Sequence, residues 1–84
     1  MARAATSVTA VDRHIAGRLR RRRRELKLSM QMLAAAIGVS YQQIAKYEAA
    51  TNRIPASRLY LLANALQTPI LYFFEGLPSP REYG

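Results

Sequence analysis

Cysteine is absent from the 84 residues, which excludes a disulfide framework, a thiolate zinc site, an iron-sulfur cluster and a cysteine nucleophile together. The single histidine, His14, removes histidine-rich metal sites and reads as an ordinary surface residue. The longest apolar stretch of note, Pro69 to Phe74, falls far short of the roughly 18 to 20 residues needed to cross a bilayer, so no membrane span is expected. No segment alternates like a strand, no repeat recurs, and acid, base and nucleophile are not grouped. With no glycine-rich phosphate loop either, the chain is expected to be no enzyme and to hold no cofactor or metal.

What is present is basic charge, and it is concentrated. Thirteen Lys and Arg against five Asp and Glu leave +8. Between Asp12 and Lys27 lie eight cations (Arg13, Arg18, Arg20 to Arg24, Lys27) and two acids, a net of +6. Such a patch attracts phosphate polymers by releasing their condensed counterions, without reading sequence. A solvated helix face, an anionic membrane surface and an import signal are also compatible with charge alone.

The apolar pattern predicts an all-α chain of five short helices packed as one compact bundle. Residues 1–10 read as a flexible N-terminal tail, 11–76 as the domain and 77–84 as a flexible C-terminal tail. Val11, Ile15, Leu19 and Leu26 mark one face of a first helix to about Lys27, with arginine filling the rest. Ser29 can cap a second helix that carries Met30, Leu33, Ala34 and Ile37 and stops at Gly38. Ser40 with Gln43 has the form of a capping box for a third helix, Tyr41 to about Ala49. Asn52, Arg53 and Pro55 belong to a loop. Leu59, Leu62, Ala63 and Leu66 give a core face to a fourth helix, about Ala56 to Gln67. Pro69 opens a fifth, Ile70 to Glu75, closed by Gly76.

Two short helices joined at a glycine, the second capped to start abruptly, form a helix-turn-helix, which sets its second helix in the DNA major groove. Val39, Ile44 and Tyr47 fall on the inner face of the third helix, leaving Tyr41, Gln42, Ala45, Lys46 and Ala49 outward. Glutamine can bond an adenine edge with both donor and acceptor, and lysine can reach guanine or a phosphate. On Arg23, Leu28-Ser29, Leu33-Ala34, Ile37 to Ser40, Ile44, Tyr47-Glu48, Leu59, Leu62-Ala63 and Leu66, the stretch from about Ile15 to Phe74 resembles the lambda-repressor-like, Cro/C1-type helix-turn-helix family.

The resemblance implies an ion pair between Arg23 and Glu48 that ties the first helix to the recognition helix, and base contacts from Tyr41, Gln42, Gln43 and Lys46. Gln43 also fits the capping box, and Tyr41 a ring packed over the turn. Phosphate contacts are expected at Arg20, Arg24, Ser40, Asn52 and Arg53, with minor-groove contact or plain loop solvation the alternatives at Asn52 and Arg53, and with the other arginines of the first helix solvated, Arg23 aside. Met30 stands where the family often has a phosphate-binding glutamine, and cannot make that contact. Lys27 and Ala50 replace family glycines, so these two helix ends are expected to lack a left-handed cap, with the third helix running on by a residue or two. The cluster Ile70, Leu71, Tyr72, Phe73 and Phe74 exceeds what a five-residue helix needs for docking, so Leu71, Tyr72, Phe73 and Phe74 are expected to form a dimer surface, the alternative being that the rings complete the core.

The implied function is sequence-specific regulation of transcription, bacterial or phage in type, by a homodimer on a palindromic operator in double-stranded DNA. The implied place is the cytoplasm, at the nucleoid. A second reading makes the chain an antitoxin that autoregulates its promoter and offers its C-terminal aromatics to a toxin; transcription machinery is a further protein partner to consider. A third, an RNA- or membrane-binding basic helix, requires the arginine run to act without the helix-turn-helix.

Overall fold

The computed structural model describes residues 8–78; the expectations placed on residues 1–7 and 79–84 lie outside it. Four α-helices, α1 (Ala10–Glu25), α2 (Met30–Ile37), α3 (Tyr41–Glu48) and α4 (Ala56–Ala65), are followed by a 3₁₀ helix, Ile70–Phe74. Among the described residues the fold is all-helical, as expected, its fifth helix being one short 3₁₀ segment.

Each start has a local cause. Thr9 caps α1 through a reciprocal pair: its hydroxyl accepts from the Asp12 amide at 3.2 Å, and its own amide donates to Asp12 Oδ2 at 2.8 Å. The sequence reading assigned no cap here. Ser29 and Ser40 accept from the amides of Met32 and Gln43 at 3.0 and 3.1 Å, which fixes the first turns of α2 and α3. Pro55 and Pro69 precede α4 and the 3₁₀ helix in extended conformation.

The ends correct an expectation. Gly38 ends α2 in the left-handed region, φ 76°, as glycine can without strain. Lys27, Ala50 and Gln67 take the same conformation, with φ of 59°, 58° and 54°. In each case two backbone bonds close the helix, as where Ala50 donates to the Tyr47 carbonyl at 3.1 Å and Thr51 to that of Lys46 at 2.9 Å. The left-handed cap therefore forms without glycine at Lys27 and Ala50, and α3 ends at Glu48 instead of running on. Satisfying the last carbonyls outweighs a steric cost of about 1–2 kcal/mol.

The core is Leu19, Leu33, Ala34, Ile44, Tyr47, Leu59, Leu62, Ala63, Leu66 and Phe73, contributed by every helical element. Leu33 and Ala34 on α2 meet Ile44 and Tyr47 on α3 within it, which sets the angle between the two helices. Burying a side chain the size of Leu or Phe stabilises by roughly 1.5–3 kcal/mol, so this shared cluster fixes how α3 is presented.

Candidate nucleic-acid interface

The outward side of α3 is set by the inward one. With Ile44 and Tyr47 buried, Tyr41, Gln42 and Lys46 are exposed, and Gln43 and Ala45 are partly covered. Gln42 and Lys46, four residues apart, stand one above the other on the exposed side. Ser40 Oγ is occupied as acceptor by the Gln43 amide, which leaves its hydroxyl proton for an incoming oxygen.

Behind α3, Arg23 and Glu48 meet in a two-pronged ion pair, Nε to Oε2 at 2.5 Å and Nη2 to Oε1 at 2.9 Å. Arg23 also donates from Nη1 to the Leu28 carbonyl at 2.8 Å. The two side chains are only 10% and 4% exposed, so solvent screens the pair little. The hydrogen bonds to Glu48 push the Arg23 guanidinium above its ordinary range despite the opposing effect of burial. This pair joins the last turn of α1 to the C-terminal end of α3.

The other arginines of α1 divide by flank. Arg18 and Arg22, expected in solvent, hold the C-terminal segment. Arg18 donates from Nε to the Tyr72 carbonyl at 2.9 Å, pairs with Glu75 at 2.7 Å and lies 3.8 Å over the Tyr72 ring. Arg22 donates to the carbonyls of Leu66 and Gln67, placing a cation at the negative end of α4. His14 is no ordinary surface residue either, since its Nε2 lies 2.6 Å from the Glu75 carbonyl oxygen. Arg20 and Arg24 are exposed and enter no ion pair among the described residues. Both line a shallow groove with Met30, Ala45 and Ala49, which puts them beside the exposed side of α3.

In the loop after α3, Asn52 is exposed, and Arg53 Nε lies 3.1 Å from Asp12 Oδ2. Burial pushes the Asp12 carboxyl up, but the hydrogen bonds from Thr9 and the Arg53 guanidinium outweigh it and hold the group below the usual carboxylate range. Arg53 thus anchors the loop to the start of α1.

The C-terminal surface is smaller than the sequence indicated. Phe73 is 0% exposed and completes the core, because the 3₁₀ helix turns it under α1 and α4. Tyr72 packs against the same cluster, and its hydroxyl is buried. Neither ring forms an open surface. Leu71 and Phe74 do, at 70% and 37% exposure, together with Ile70 of the same segment and with Tyr60 and Leu61, which the sequence reading did not single out because only the core face of α4 was assigned residues.

The helix-turn-helix family model matches residues 19–73, a span that takes in the core, the Gly38 turn and the Arg23–Glu48 pair. The chain belongs to the helix-turn-helix family, in its Cro/C1, lambda-repressor-like branch. This helix-turn-helix chain is 54% identical over 76 residues to an uncharacterized transcriptional regulator in the ATPase CF(0) region of Rhodospirillum rubrum, covering 88% of the chain and 70% of that relative. It is 43% identical over 69 residues to an uncharacterized HTH-type transcriptional regulator of Sinorhizobium medicae, covering 82% of the chain and 50% of the relative. Among solved structures it is similar to the P22 c2 repressor in complex with synthetic operator 9T, with 31% identity, a TM-score of 0.68, and coverage of 74% of this chain and 94% of that one. The chain thus spans from half to 70% of the length of these two relatives. Among the described residues no helix is long and apolar enough to cross a membrane, and no group of His, Asp and Glu could hold a metal ion.

Proposed function

We propose that this chain is the DNA-binding unit of a sequence-specific transcriptional regulator, and that α3 enters the major groove. The observation that carries the reading is the exposed pair Gln42 and Lys46, held outward by buried Ile44 and Tyr47 and flanked by the unpaired Arg20 and Arg24. Gln42 and Lys46 read base edges, with Tyr41 and Gln43 beside them; Arg20, Arg24, the Ser40 hydroxyl and Asn52 meet phosphates. Arg53 can join them while remaining near Asp12, since its side chain is 40% exposed. The relatives named as transcriptional regulators, and the P22 c2 repressor solved with its operator, support the same assignment.

The regulator acts as a symmetric dimer on a palindromic site, with half-sites about one helical turn apart. Leu71 and Phe74, with Tyr60, Leu61 and Ile70, supply the contact between copies. Selection from random duplexes tests the reading: it should return one site with two inverted half-sites. Recovery of an unrelated pool would refute it. Sedimentation of Leu71→Glu isolates the dimer claim, for which a shift to monomer is expected and an unchanged wild-type monomer is the contrary result.

A further inference from the structure

One flank of α1 is used by neither the fold nor the base-reading helix. Arg13, Gly17, Arg20 and Arg24 recur at steps of four, three and four residues, which places them on one stripe, and all are exposed. Arg13, Arg20 and Arg24 enter no ion pair among the described residues, in contrast to Arg18, Arg22 and Arg23. Gly17 stands in the middle of the stripe, within a helix, where glycine is disfavoured relative to alanine because it gives up more backbone freedom. No neighbour among the described residues requires it there: a β-carbon built at Gly17 meets none of their atoms within 4 Å. An open groove at the same place is lined by Gly17, Arg20, Arg21, Arg24 and Glu25. Through Arg20 and Arg24 it continues into the groove beside Ala45 and Ala49 of α3.

We infer that this stripe is a track for the phosphodiester backbone of DNA, and that Gly17 is the notch where a phosphate comes closest to the helix. The missing side chain lets the strand approach, while guanidinium groups on either side fork onto its oxygens. From Arg13 to Arg24 the helix rises about 16 Å, enough to follow several phosphates of one strand. The inference rests on the DNA-binding reading and adds the strand path to it, leaving base contacts with α3. A lipid surface fits less well, because the apolar face that α1 would insert, Ala16 and Leu19, is already buried in the core.

The test measures binding of the whole chain to a selected duplex and to a random duplex across a salt series. Gly17→Gln should raise the melting temperature by about 4 °C, since glutamine is the better helix former, yet weaken binding roughly three- to tenfold on both duplexes. Arg13→Gln should lower the slope of log affinity against log salt by about one and leave the ratio between duplexes unchanged. Affinity and slope unchanged in both variants would overturn the track. Capture by phosphatidylglycerol vesicles that these variants abolish, with duplex binding untouched, would overturn it in favour of lipid. A wild type that binds duplexes without preference, but still loses affinity in both variants, would leave the track standing while the base-reading assignment falls.

Discussion

Arginine serves two opposite ends within α1, and the difference lies in which carbonyls and carboxylates each side chain can reach. Arg23 is buried because Glu48 and the Leu28 carbonyl take up its donors. An unpaired charge left there would be costly. Glu48→Ala should therefore lose about 3–5 kcal/mol of stability by denaturant melting, and much of that loss should return in the double variant Arg23→Met/Glu48→Leu. A similar logic with a pH dependence applies to Asp12. Its carboxyl ionises more readily in the folded chain than in the unfolded one, so the stability it contributes is fully present above the unfolded value, near 3.9, and is lost as pH falls through the folded one. Asp12→Asn should lower the melting temperature by a few degrees at pH 7, with the gap to wild type closing below about pH 4. A gap constant from pH 7 to pH 3 would contradict this assignment.

At the scale of the element, the helix starts and the core faces were legible in the sequence, because serine caps and apolar spacing are local signals. The Ser29 and Ser40 caps, the Gly38 turn, and the inward set Val39, Ile44 and Tyr47 could all be read this way. The helix ends were less legible. Glycine is the visible sign of a left-handed cap, and at Lys27, Ala50 and Gln67 the chain makes that cap with other residues, held by backbone bonds between a helix end and its following loop. Ala50→Gly should relieve the strain and stabilise by about 0.5–1 kcal/mol, a rise of roughly 2–6 °C in melting temperature. A fall would mean that the backbone at Ala50 is not left-handed in solution. The burial of Phe73 was also hidden, because a five-residue apolar run does not say which ring turns inward; a 3₁₀ helix, with its tighter turn, decides it.

For the whole molecule, the arrangement puts Arg18 and Arg22 on the side of α1 that holds the C-terminal segment and the unpaired Arg20 and Arg24 on the side that adjoins α3. Spacing along one helix could not reveal that division, since the partners, Tyr72, Glu75, Leu66 and Gln67, lie more than forty residues away in the chain. The outward row Gln42 and Lys46 could be read, because it follows from the buried row on the same short helix. In the proposed reading, attraction for phosphate and discrimination among bases fall on adjoining surfaces, α1 and α3. The most direct measurement is the affinity of wild type and Gln42→Ala for a selected duplex and for the same duplex scrambled, at matched salt. Gln42→Ala should lose about 1–3 kcal/mol on the selected duplex and almost nothing on the scrambled one. Equal losses on both, or none on either, would contradict the placement of α3 against base pairs.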